Sequence, residues 1–177
     1  MKLMIVYGST EGQTRRISEF LRDESEIAGH VPTLFDAMVT PPAPDPSEFD
    51  AVLIAASLHG GKYQVTVKDF VQKYHGNLNQ MNSCFLSVSL TAATDEPESW
   101  KELKQHTEDF LLETGWKPKF IEQIAGALLY TQYDYFKRFI MRMISRRSGG
   151  DTDTTQDHEY TDWDQVRGVI RKIEKLP

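Results

Sequence analysis

The stretch Lys2-Leu3-Met4-Ile5-Val6-Tyr7-Gly8-Ser9-Thr10-Glu11-Gly12-Gln13-Thr14 decides the fold. A short apolar run stops at Gly8-Ser9-Thr10, and between Thr14 and Ala28 apolar residues recur at helical spacing as Ile17, Phe20, Leu21 and Ile27. This is a strand, a tight loop and a helix. Working outward, Val31 to Phe35 and Ala51 to Ala56 are predicted strands, the second so evenly apolar that it suits a strand covered on both faces. Val65 to Tyr74 is predicted as a helix, Ser83 to Ser89 as a strand and Glu98 to Thr114 as a helix with its apolar positions at Trp100, Leu103, Phe110 and Leu111. Phe120 to Leu129 is predicted as a fifth strand, and Asp162 to Leu176 as a closing helix built on Trp163, Val166, Val169, Ile170 and Ile173. Strands alternating with helices predict an α/β protein with an open five-stranded parallel sheet and helices on both faces, because right-handed crossovers let consecutive parallel strands pair. Small ligands bind such sheets beyond the carboxyl ends of the strands.

The length of 177 residues fits one domain over 1–177, and the Pro41-to-Pro46 tract is short enough for an ordinary loop. With 40% apolar and 26% charged residues, disordered and collagen-like classes are excluded. A lone cysteine, Cys84, forms no internal disulfide, and the first apolar run is too short for a signal peptide, so a cytosolic start is expected. The net charge of -6 argues against a nucleic-acid partner, yet residues 130–148 carry a net +4 that leaves -10 for the rest. The basicity is local.

At the first strand end, Ser9, Thr10, Glu11, Gly12, Gln13 and Thr14 combine small residues, three hydroxyls and the start of a helix, whose free N–H groups and positive dipole end attract an anion. A phosphate suits this loop; a hydroxyl-rich helix cap without ligand is the alternative. The loop lacks the Gly-Lys-Ser/Thr of a Walker motif and the Gly-x-Gly-x-x-Gly of a dinucleotide fingerprint. The third strand ends in Ser57-Leu58-His59-Gly60-Gly61-Lys62-Tyr63 and the fourth in Ser89-Leu90-Thr91-Ala92-Ala93-Thr94. Both suit a flat heteroaromatic ring held by backbone hydrogen bonds, with Tyr63 expected to pack nearby.

This constellation resembles the flavodoxin family, whose phosphate loop Ser/Thr-x-Thr-Gly-x-Thr is matched by residues 9–14 with Glu11 in place of the usual Thr. The resemblance implies strand order 2-1-3-4-5 and FMN as cofactor, with residues 9–14 on the phosphate and residues 57–61 and 89–92 beside the isoalloxazine. Within that superfamily, several blocks narrow the likeness. They are Glu11 to Arg15, Ser87-Val88-Ser89-Leu90, Ala125 to Tyr130, the basic aromatic stretch to Arg147, Ser148 to Thr154, and Tyr160-Thr161-Asp162-Trp163. Together they resemble the menaquinone-dependent protoporphyrinogen IX dehydrogenase family. One departure is His59-Gly60, where that family tends to have a basic residue followed by an aromatic. The resemblance implies oxidation of protoporphyrinogen IX to protoporphyrin IX in haem biosynthesis, with menaquinone or ubiquinone accepting the electrons.

The insert after the fifth strand, at about 130–148, places Phe136, Phe139, Ile140, Met143 and Ile144 on one helical face and Arg138, Arg142 and Arg146 on the other. Such a basic amphipathic helix packs on the core or rests at an anionic membrane surface, and with the resemblance the second use is expected, on the cytoplasmic face of the inner membrane. Tyr133, Tyr135, Phe136 and Phe139 also suit a porphyrinogen's apolar ring, and Arg138, Arg142, Arg146 and Arg147 suit its two propionates. His59 is the one histidine in the expected flavin loop, as a ring contact or a plain loop residue. His30, His75, His106 and His158 lack metal-ligand spacing, so no metal is expected, and Cys84 is expected in the core. Two other readings remain: a flavodoxin-like FMN electron carrier, against which the long insert argues, and an NAD(P)H:quinone reductase.

Overall fold

The computed structural model describes residues 1–39, 44–128 and 158–177. Five parallel strands form one sheet in the order β2-β1-β3-β4-β5, with β1 at Lys2–Gly8, β2 at Val31–Asp36, β3 at Ala51–Ser57, β4 at Asn82–Ser89 and β5 at Phe120–Ala125. Four α-helices accompany them among the described residues: α1 (Gln13–Ile27), α2 (Val65–Gln80), α3 (Pro97–Thr114) and α4 (Trp163–Ile173).

Alternation along β1 splits the core between the two sheet faces. Leu3, Ile5 and Tyr7 pack with Ile17 and Leu21 of α1 and with Val166, Val169 and Ile170 of α4. Met4 and Val6 pack on the other side with Val67 and Val71 of α2, Phe110 of α3 and Trp116. β1, β3 and β4 are buried nearly throughout, whereas edge strand β2 alternates exposed and half-buried residues. The helix ends use standard devices. Asp162 accepts from the N–H groups of Asp164 and Gln165 to start α4, Pro97 opens α3, and Gly115 at φ +69 closes it.

Several boundaries differ from those expected from sequence. α2 runs on to Gln80 because Leu78 is buried, and tertiary bonds hold its polar last turn: Asn79 donates to Gly115 O, and Ser83 Oγ donates to Leu78 O. Ile27 is 80% exposed at the last turn of α1, where the buried residue is Ser25. The largest difference lies at the expected strand Phe120 to Leu129. β5 stops at Ala125, and Ala127–Leu128 pairs antiparallel with His158–Glu159 as a separate two-stranded sheet. Gly126 makes the last bond to β4, its N–H donating to Ser89 O at 3.0 Å, while its carbonyl accepts from Tyr160 N–H at 3.1 Å. The chain thus exchanges one set of backbone partners for another at a residue without a side chain. Leu129 and the whole insert 130–148 lie outside the described residues.

Candidate functional site

Beyond the carboxyl ends of β1, β3 and β4 lies a cleft of about 270 Å³. The loops after all three strands converge on it, as the topology requires. Every expected cofactor residue lines it except Gly12 and Ala92, which shape the loops instead. Gly12 adopts φ +91 immediately before α1, and its N–H donates to Ser9 Oγ at 2.9 Å. Ala92 lies in a short 3-10 turn, with its N–H donating to Ser89 Oγ at 3.2 Å.

No side chain caps α1. The N–H groups of its first turn, from Gln13, Thr14 and Arg15, therefore lack partners inside the helix, and the positive end of the helix dipole faces the loop. Thr14 sits in that turn, 1% exposed, with a hydroxyl that has no hydrogen-bond partner. A buried polar atom of this kind is costly unless a ligand or water completes it. Gln13 turns away: its amide donates to Glu159 at 2.8 Å and to Thr161 at 2.9 Å, and Thr161 donates to Ala125 O at 2.7 Å. Its side chain clasps the start of α1 to the end of β5, so only its backbone N–H remains for a ligand.

Glu11 occupies the middle of the loop. One of its carboxyl oxygens is buried without a hydrogen bond and lies 3.9 Å from His59 Nδ1. Burial pushes this carboxyl above the ordinary carboxylate range, and the neighbouring His59 opposes that rise. Among the described residues no lysine or arginine lines the cleft, and those at the β1 end offer an anion N–H groups and hydroxyls.

The loop after β3 turns tightly, His59 and Lys62 exchanging backbone hydrogen bonds of 2.9 and 3.1 Å around Gly60 at φ +55 and Gly61 at φ +78. Two successive positive φ values are the signature of a hairpin turn that favours glycine. The turn leaves His59 half exposed and sends Tyr63 inward. Contrary to the expectation of an aromatic beside the ring, Tyr63 belongs to the core. Its ring meets Phe85 and Phe110 edge-on with centroids 5.1 and 4.9 Å away, and its hydroxyl bonds Ser87 at 2.8 Å and Thr107 at 3.0 Å.

One wall carried no local signal in the sequence. Ser99, Glu102, Leu103 and His106 of α3 face the cleft at helical spacing. His106 presses so closely on Gly61 that a Cβ there would lie 3.0 Å from its ring. Cys84 lies fully buried in β4, its thiol pushed up by burial. Tyr133, Tyr135, Phe136, Arg138, Phe139, Arg142, Arg146 and Arg147 fall outside the described residues.

Comparison with known proteins places this geometry. The Flavodoxin domain family matches residues 4–155. The chain is similar to protoporphyrinogen IX dehydrogenase (quinone) of Escherichia coli (strain K12), 35% identical over 176 residues, which is 99% of this chain and 96% of that protein. It is 31% identical over 180 residues to the protein of the same name from Leishmania major, across 99% of this chain and 76% of that one. Among solved structures, oxidised Flavodoxin 1 from Bacillus cereus matches with a TM-score of 0.53 at 16% identity, covering 84% of this chain and 100% of its own, a likeness of fold.

Proposed function

This chain belongs to the flavodoxin-domain family and, within it, to the protoporphyrinogen IX dehydrogenase (quinone) family, and from that premise we propose that it binds FMN in the cleft and oxidises protoporphyrinogen IX with a quinone as acceptor. The observation that carries the cofactor reading is the orphaned Thr14 hydroxyl beside the uncapped start of α1. A phosphate monoester supplies the acceptors that this hydroxyl and the free N–H groups lack. The N–H groups of Gln13, Thr14 and Arg15 and the hydroxyls of Ser9, Thr10 and Thr14 would hold the phosphate, with the turns at 57–61 and 89–92 beside the ring. Bound there, FMN supplies two-electron redox chemistry that no side chain of this protein offers.

The chain contributes position and proton-holding groups. In each two-electron step the porphyrinogen loses two hydrogens, which end on the quinone as its quinol. His59, His106, Glu11 and Glu102 ring the cleft and can take up or return a proton during that exchange. The chain forms a single domain, and its insert serves the substrate and the membrane surface: arginines 138, 142, 146 and 147 pair with propionates or anionic headgroups while the aromatics cover apolar surface. No helix among the described residues is long and apolar enough to cross a membrane; the attachment proposed for the insert is peripheral.

The test is anaerobic. FMN-loaded protein, protoporphyrinogen IX and a menaquinone analogue are followed by porphyrin fluorescence against controls without enzyme or quinone. Formation dependent on both is expected; no turnover with FMN fully bound would move the reading to an electron carrier. Joint replacement of the four arginines is expected to raise KM for the porphyrinogen or reduce vesicle binding while FMN stays bound.

A further inference from the structure

Gln64 stands between two of the loops that form the cleft. It immediately precedes α2, and its side chain reaches back so that Nε2 donates to Thr10 Oγ1 at 3.1 Å and also to Ser57 Oγ. Thr10 and Ser57 line the cleft, one in the loop after β1 and the other at the end of β3. Gly8 makes room for this bridge. A Cβ at Gly8 would lie 2.6 Å from Val67 Cγ2 and 3.0 Å from Gln64 Oε1, and its φ is not positive, so the glycine is required for space and not for backbone freedom.

The direction of these hydrogen bonds has a chemical consequence. A serine or threonine hydroxyl both accepts and donates, and an oxygen that accepts an amide N–H keeps its own proton free to turn elsewhere. Neither Thr10 nor Ser57 donates that proton to a protein acceptor among the described residues. Two ambivalent hydroxyls thereby become two donors facing the cleft. We infer that Gln64 is a positioning residue of the cofactor site: seated over Gly8, its amide orients the Thr10 and Ser57 hydroxyls as donors, the first toward the phosphate of FMN and the second toward the ring side. This rests on the FMN reading above. Arranging donors before the ligand arrives removes an ordering cost from binding.

Titration of FMN and of riboflavin into the full chain, followed by quenching of flavin fluorescence, tests the inference. Gln64→Glu keeps the shape but makes the bridging group an acceptor, so both hydroxyls donate to it and no longer to the ligand. FMN affinity is expected to fall about tenfold or more, and riboflavin affinity about threefold, since riboflavin loses only the Ser57 donor. Gln64→Met keeps the bulk and frees the hydroxyls, with an expected loss of about threefold for FMN. Thermal melting of each variant reports folding, and if the glutamate variant does not fold, the methionine variant alone decides. FMN affinity within about twofold of the unaltered chain in the folded variants overturns the inference while the FMN reading stands. So does a loss in Gln64→Glu confined to FMN, which marks simple charge repulsion by the new carboxylate. Failure of the unaltered chain to bind FMN overturns both together.

Discussion

The two sides of the cleft are built on different principles. Around residues 9–14, the groups on offer are backbone N–H groups, hydroxyls and the start of α1, with Thr14 buried and Gly12 in the left-handed region. Across the cleft, Glu102 and His106 of α3 and His59 of the β3 loop present titratable side chains. In the function proposed above, the first side would hold an anion with fixed dipoles, while the second carries the carboxyl and imidazole groups. On that proposal the phosphate would be gripped with no lysine or arginine of the described residues in the cleft, and Glu11, paired loosely with His59, is where the two sides meet.

Breaking the anchoring side has the largest expected effect. Thr14→Val removes a buried hydroxyl that has no protein partner, so the FMN-free chain is expected to melt at the same temperature or slightly higher. FMN binding is expected to weaken about 10- to 100-fold, the worth of a hydrogen bond to a charged group. Calorimetry with and without FMN separates the two; equal affinity would remove Thr14 from the phosphate site. On the titratable side, Gly61→Ala forces a side chain into φ +78 and against the His106 ring. A cost of about 1–2 kcal/mol is expected from urea unfolding, with FMN affinity changed far less than by Thr14→Val.

The smallest effect sharpens the junction. Burial raises Glu11 above its ordinary value in the folded chain, so its ionised form is less favourable there than in the unfolded chain, and ionisation costs folded-state stability as pH climbs from the ordinary value through the raised one. Glu11→Gln is therefore expected to match the unaltered chain in acid and to exceed it in stability and FMN affinity at neutral pH, by up to about fivefold in affinity. Equal pH profiles for the two proteins would show that this carboxyl does not oppose the phosphate.

What could be read ahead of the structure follows from how local each signal is. The place of the 9–14 loop at the cleft was legible because six consecutive residues carry it. The α3 wall was not: Ser99, Glu102 and His106 share a helix face, but which loop that face meets depends on packing against Gly61. Tyr63 misled because a ring next to a glycine-rich loop suits a ligand contact, whereas the Gly60-Gly61 turn directs it onto Phe85 and Phe110. The strand expected to reach Leu129 stops at Ala125 because residues 158–161, distant in sequence, take over its backbone partners.

The sequence by itself determined the alternation of strands and helices, the buried central strands and the hydroxyl-rich loop between β1 and α1, since hydrophobic period and backbone preference reside in contiguous residues. Only the tertiary structure decided the α3 wall, the inward turn of Tyr63, the clasp of Gln13 on Thr161 and the bridge of Gln64 over Gly8. Each of these depends on where a side chain finds space and a hydrogen-bond partner, and both are supplied by residues far away along the chain.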